Sequence, residues 1–116
     1  MTSQQFAQYL EAKTQAHLSN ADNLASNHKD DEAIMEKIRA NMYKIVVQFM
    51  DIARKRTPNN VPTTAIKRIN TYLLPQWQNA LAEAQRHDDH VKITHEEVKI
   101  STMSEIIKFM EGQKSE

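Results

Sequence analysis

Apolar residues recur along this chain at three- and four-residue intervals, the spacing of amphipathic helices and not of strands. In the first block Phe6, Leu10, His17, Ala21 and Leu24 share one side of a helix that closes near Asn27. The second is the most regular: Ile34, Ile38, Met42, Ile45, Phe49 and Ile52 form a stripe, widened by Met35, Val46 and Ala53. Asp30, Asp31 and Glu32 stand at its start and Arg54, Lys55 and Arg56 at its end, as the helix dipole favours, and Thr57-Pro58-Asn59-Asn60 breaks it. Tyr43 falls off this stripe and is a candidate for exposure.

A third helix is predicted from Pro62 or Thr63 to about Arg86, carried by Ile66, Ile69, Leu73, Trp77, Ala80, Leu81 and Ala84. Pro75 lies inside it. The same face continues on both sides, so the proline predicts a kink at the lost bond to the Thr71 carbonyl. Residues 88–101 read two ways. Val91-Lys92-Ile93-Thr94 and Val98-Lys99-Ile100-Ser101 alternate like a small hairpin. Against that, Thr94 and Glu97 spell a capping box, Ile93 and Val98 a hydrophobic staple, and Ile100, Met103, Ile107 and Met110 a helical stripe. The agreement of several start signals favours a fourth helix from about His95 to Glu111. The expected architecture is an all-α, antiparallel up-and-down four-helix bundle, one domain over residues 1–116, with 112–116 a disordered tail.

Composition sharpens this picture. One glycine and three prolines suit long helices joined by few special turns. The absence of cysteine removes disulfides and thiolate metal ligands. Neither a basic-then-apolar leader at the start nor the ~20 apolar residues of a membrane span can be read, so a cytoplasmic protein is expected. The net charge of zero hides segregation: residues 1–36, 37–68 and 69–116 carry −4, +7 and −3.

Candidate chemistry is sparse. His87-Asp88-Asp89-His90 and His95-Glu96-Glu97 resemble a metal site by residue type, but the helical zinc spacing would need a histidine where Lys99 stands. A solvated turn with helix-capping acids is the preferred reading, so no metal and no cofactor is expected. His17, on an apolar face, is read as satisfying its ring nitrogens on a neighbouring helix or at the core edge. No nucleophile with base and orienting acid and no phosphate-cradling glycine loop is spelled out, so no catalytic residue is expected. Arg54, Lys55 and Arg56 with Lys67 and Arg68 would gather at one end of an antiparallel pair, a patch able to meet nucleic-acid phosphates, an anionic membrane surface or an acidic loop. Phe109, like Tyr43, lies off its helix's stripe. It is either an exposed anchor for a partner or covered by the tail from Gln113 onward.

The run Asp89-His90-Val91-Lys92-Ile93-Thr94-His95-Glu96-Glu97, with Ile66-Lys67-Arg68-Ile69-Asn70-Thr71-Tyr72-Leu73, resembles segments of the pediocin-like (class IIa) bacteriocin immunity proteins, as does the chain length. The resemblance implies a four-helix bundle lying in the producer's cytosol or against the inner face of its membrane. Such a protein protects by engaging a membrane receptor, the mannose permease of the phosphotransferase system, or that receptor's complex with the bacteriocin. It implicates the C-terminal half in choosing which bacteriocin is countered, here the region from Thr94 onward with Lys99, Lys108 and Phe109. Pro75, the run from His87 to His90 and the overall neutrality depart from more basic members of that family.

Overall fold

A computed structural model describes residues 1–114, with side chains through Gly112. It contains α1 (Ser3–Ser26), α2 (Asp30–Arg56), a broken third helix made of α3 (Val61–Tyr72) and α4 (Leu74–Arg86), and α5 (His90–Lys114). Short connections make successive helices antiparallel, so α2 and α5 run in the same direction. α2 is the hub, packing on α1, α3 and α5, while α4 packs on α5. No strand occurs among the described residues.

Several boundaries have a local cause. Thr2 and Gln5 close a capping box on α1: the Thr2 hydroxyl accepts from the Gln5 amide at 3.0 Å, and Gln5 Oε1 accepts from the Thr2 amide at 2.9 Å. α1 and α4 both end in two paired backbone bonds around a residue in the left-handed region. Lys29 N donates to Leu24 O and His28 N to Ala25 O. Asp89 N likewise donates to Ala84 O and Asp88 N to Gln85 O. The left-handed residues are His28 (φ 62°) and Asp88 (φ 53°), where glycine is the usual occupant. Replacing His28 by Gly, or Asp88 by Gly, should therefore raise stability by about 0.5–1 kcal/mol each, read as a higher denaturant midpoint. The same change at solvent-facing Gln8, inside α1, should lower it.

The third helix breaks at Leu73, two residues ahead of the proline. Leu73 N still donates to Ile69 O at 2.9 Å and Trp77 N to Leu73 O at 3.1 Å. Pro75 cannot donate to Thr71 O, and its ring crowds the preceding turn, so the disturbance falls on the N-terminal side of the proline. α5 begins at His90, five residues before the expected start. Asp89 is the cap: its Oδ1 accepts from Lys92 N at 3.2 Å, and its carbonyl accepts from Ile93 N at 2.9 Å. The Thr94 hydroxyl instead donates back to His90 O, so the Thr94–Glu97 capping box is not used. The helix also continues through Gly112 to Lys114, where a tail was expected; residues 115 and 116 of that tail lie outside the described residues.

One core joins all the helices, built on Phe6, Leu10, Tyr43, Val46, Met50, Val61, Ile69, Trp77, Met103 and Ile106. Its position on α2 corrects the expected stripe. The buried side chains are Ala33, Ala40, Met42, Tyr43, Val46, Met50 and Ala53, whereas Ile34 and Ile52 are 43% and 41% exposed and Ile38, Ile45 and Phe49 only half-buried. The core-facing side is thus turned towards Tyr43 and away from the isoleucine row. α1 is the reason. It packs on α2 with Ala21 buried on its own side and Ala33 and Ala40 on the other, small residues that allow backbones to approach closely. Tyr43, a candidate for exposure from its place off the stripe, is 1% exposed.

Candidate partner-binding surfaces

The described residues bring the expected site residues to different places. The loop Thr57–Asn60 turns the chain back, with Asn60 in the left-handed region (φ 59°), and α3 then lies along α2. Arg54, Lys55, Arg56 and Lys67 are exposed at this end of the bundle and Arg68 is half-buried. Arg54 donates to Asp51 at 2.9 Å, so part of the charge is balanced within α2.

Lys99 is half-buried and engaged within α5. Its Nζ lies 3.0 Å from Glu96 Oε1, and Glu96 is a buried carboxylate, 4% exposed. The other oxygen, Oε2, is buried without a hydrogen-bond partner. Sequence reasoning placed Glu96 in a solvated turn. A signal was present, because the stripe Ile100, Met103, Ile107 extended back one turn reaches Glu96, but that extension needs the helix to start before His95.

Phe109 is half-buried against α1, while the side chains of the tail expected over it, from Gln113 onward, lie outside the described residues. Its ring stacks on Tyr9 with centroids 3.7 Å apart and lies 6.3 Å from Phe6. Tyr9 meets the edge of Tyr43 at 6.1 Å, and Tyr43 stacks on His17 at 5.5 Å, so five rings tie α1 to α2 and α5. Of the two places open to His17, the neighbouring helix supplies a partner for one ring nitrogen: its Nδ1 pairs with Glu36 of α2, whose second oxygen accepts from Arg39 at 3.2 Å. Burial, then the hydrogen bond to Tyr9, pushes the Tyr43 hydroxyl well above the ordinary phenol value of 10. Burial also raises Tyr9, against the opposing effect of Tyr43.

A group whose pKa is raised on folding adds stability that is complete below the unfolded value and is lost as pH rises from about 10 through the folded pKa. Tyr43→Phe should therefore flatten the fall in stability above pH 10 while leaving the slope between pH 7 and 9 unchanged. Denaturant melts across that range check it, and an unaltered alkaline slope would refute it.

The expected turn cluster does not converge. His87, His90 and His95 are on separate positions of the α4–α5 junction and the first turns of α5, and no three His, Asp or Glu side chains gather as metal ligands among the described residues. His87 Nε2 lies 2.9 Å from Glu83, which also takes a hydrogen bond from Arg86. The bonds from Arg86 and then from His87 hold the Glu83 carboxyl below the usual range.

Lys108 is exposed and stands on the wall of a groove of about 420 Å³ between the broken third helix and α5. Asn70, Leu74 and Gln78 form one wall, and Ile100, Met103, Ser104, Ile107, Lys108 and Glu111 the other. The break at Leu73 lies beside it, since Leu74 opens α4. The groove is the feature that sequence reasoning missed, because its two walls come from segments 22 to 41 residues apart. No helix among the described residues is long and apolar enough to cross a membrane.

Compared with protein-family models, with characterised proteins and with solved structures, the chain matches none.

Proposed function

We propose that this chain is a non-catalytic, protein-binding helical bundle, and specifically a bacteriocin immunity protein of the pediocin-like type acting from the cytosolic side of the membrane. The observation that carries the reading is the groove beside the C-terminal half of α5, walled by Ile107 and Lys108. It lies in the half of the chain that the resemblance implicates in recognition, on a bundle of the kind the resemblance implies. Its floor is apolar and its rim polar, the usual make-up of a surface that accepts a helix or loop of another protein. The partner on this reading is the mannose permease or its complex with the bacteriocin. Lys99 and Phe109, both half-buried, are engaged by Glu96 and by Tyr9, so on this reading they shape α5 beside the groove.

The test is to express the chain in strains sensitive to class IIa bacteriocins. Tolerance to at least one bacteriocin should rise, and Lys108→Glu and Ser104→Arg should each remove that protection without changing the amount of folded protein. Absence of protection across a representative panel would end the assignment.

The exposed cations at the α2–α3 end favour a second reading, a nucleic-acid-binding domain using Arg54, Lys55, Arg56, Lys67 and Arg68. It requires affinity for DNA or RNA that falls steeply with salt. Binding that is absent or indifferent to salt removes it.

A further inference from the structure

At the end of the bundle away from the cations, the bend at Leu73 leaves a second hollow. α4 turns onto α5 and barely touches α2. The first turns of the parallel helices α2 and α5 therefore border an open space of about 290 Å³, lined by Asp31 and Met35 of α2 and by His90, Val91, Thr94 and His95 of α5. Val91 is 67% exposed. Ile34, three residues from Asp31 and so its neighbour on the surface of α2, is also exposed.

The charges around this apolar floor are one-sided. Asp30, Asp31 and Glu32 on α2 and Asp88, Asp89 and Glu97 on the α5 side are all exposed. Of the cations on the same turns, Arg86 is held by Glu83, and Lys29 and Lys92 remain beside six carboxylates. The helix dipole accounts for acids in a first turn, but not for an uncovered valine and isoleucine beside them.

We propose that this hollow is a docking groove for a basic amphipathic helix of a partner protein. Leucine-like side chains would seat against Val91, Met35 and Ile34, and flanking lysines or arginines would face the six carboxylates. Charge complementarity selects a basic partner. A space bordered by two parallel helices selects a helix lying between them. The proposal is independent of the immunity reading, which concerns the other half of α5.

The experiment is fluorescence anisotropy of the full chain with a labelled synthetic amphipathic peptide of lysine and leucine at neutral pH. Two control peptides carry glutamate in place of lysine, or serine in place of leucine. Saturable binding of the lysine–leucine peptide alone is expected, weakened about tenfold by Val91→Asp and by Asp31→Lys and unchanged by Gln8→Lys on α1. Both groove positions are solvent-facing, and circular dichroism confirms that each variant is folded; if one is not, the other still decides. Equal binding of the lysine–serine peptide overturns the proposal, as does affinity indifferent to both groove substitutions. Sedimentation showing the chain associating with itself through Val91 also overturns it, by making a second copy the occupant.

Discussion

Tyr43→Ala should cost about 3–5 kcal/mol of stability, while Ile34→Ala and Ile52→Ala, at the two ends of the apolar stripe, should each cost about 1 kcal/mol or less. The contrast follows from the direction in which α2 faces. Tyr43 is enclosed among α1, α2 and α5, touching Tyr9 and His17, and its removal leaves a cavity that the surrounding rings cannot close. Ile34 and Ile52 keep two-fifths of their surface in water in the folded state, so truncation loses little burial. Denaturant unfolding of the three variants measures this directly. A ranking in which the isoleucines cost more than the tyrosine would place the core of α2 on the row that its sequence pattern emphasises.

The Glu96–Lys99 pair supplies the second large effect. Lys99→Met should destabilise by about 2–3 kcal/mol, somewhat below the loss usual for a fully buried pair, because the Lys99 side chain is 29% exposed. Its loss leaves a buried carboxylate with neither oxygen paired within the protein, one of them being unsatisfied already. Glu96→Met should be neutral or stabilising by about 1 kcal/mol, since it removes the orphan oxygen and leaves Lys99 able to reach water. The double variant should recover most of what Lys99→Met loses. The order of the three denaturant midpoints is the measurement. Lys99→Met unfolding at the wild-type midpoint would mean that Glu96 draws its stabilisation from water.

Both predictions turn on how a helix is rotated and where it starts, and these are the features that local pattern left open. Helix content, helix number and a bend near Pro75 were legible because they follow from spacing, proline chemistry and the scarcity of glycine, all local to the chain. The basic cluster at the α2–α3 end was legible for the same reason: a short connection between antiparallel helices leaves little freedom in where Arg54 to Arg56 and Lys67 can lie. His17 was legible in part, because an imidazole on an apolar face needs a partner, and the structure supplies Glu36 on the next helix.

The start of α5 was misjudged because two capping signals compete within six residues. Asp89 prevails over Thr94, since a cap at Asp89 lets α4 end in its paired turn at Asp88 and adds further hydrogen-bonded turns to the helix. That earlier start is what carries Glu96 into the interior.

By itself the sequence determined a predominantly helical chain, with residues 88–101 open to a hairpin, the approximate limits of its first three helices, the bend in the third and the segregation of charge, because hydrophobic period, proline and helix-end charges act within a few residues of one another. Only the tertiary structure decided which side of α2 is covered, that Tyr43 and Phe109 belong to a ring cluster instead of the surface, and that the bend opens a groove on α5 and a hollow between α2 and α5. Those outcomes depend on which helices approach one another and how closely. That is settled by the fit of whole faces, alanines against alanine and rings against rings, and not by any one segment's pattern.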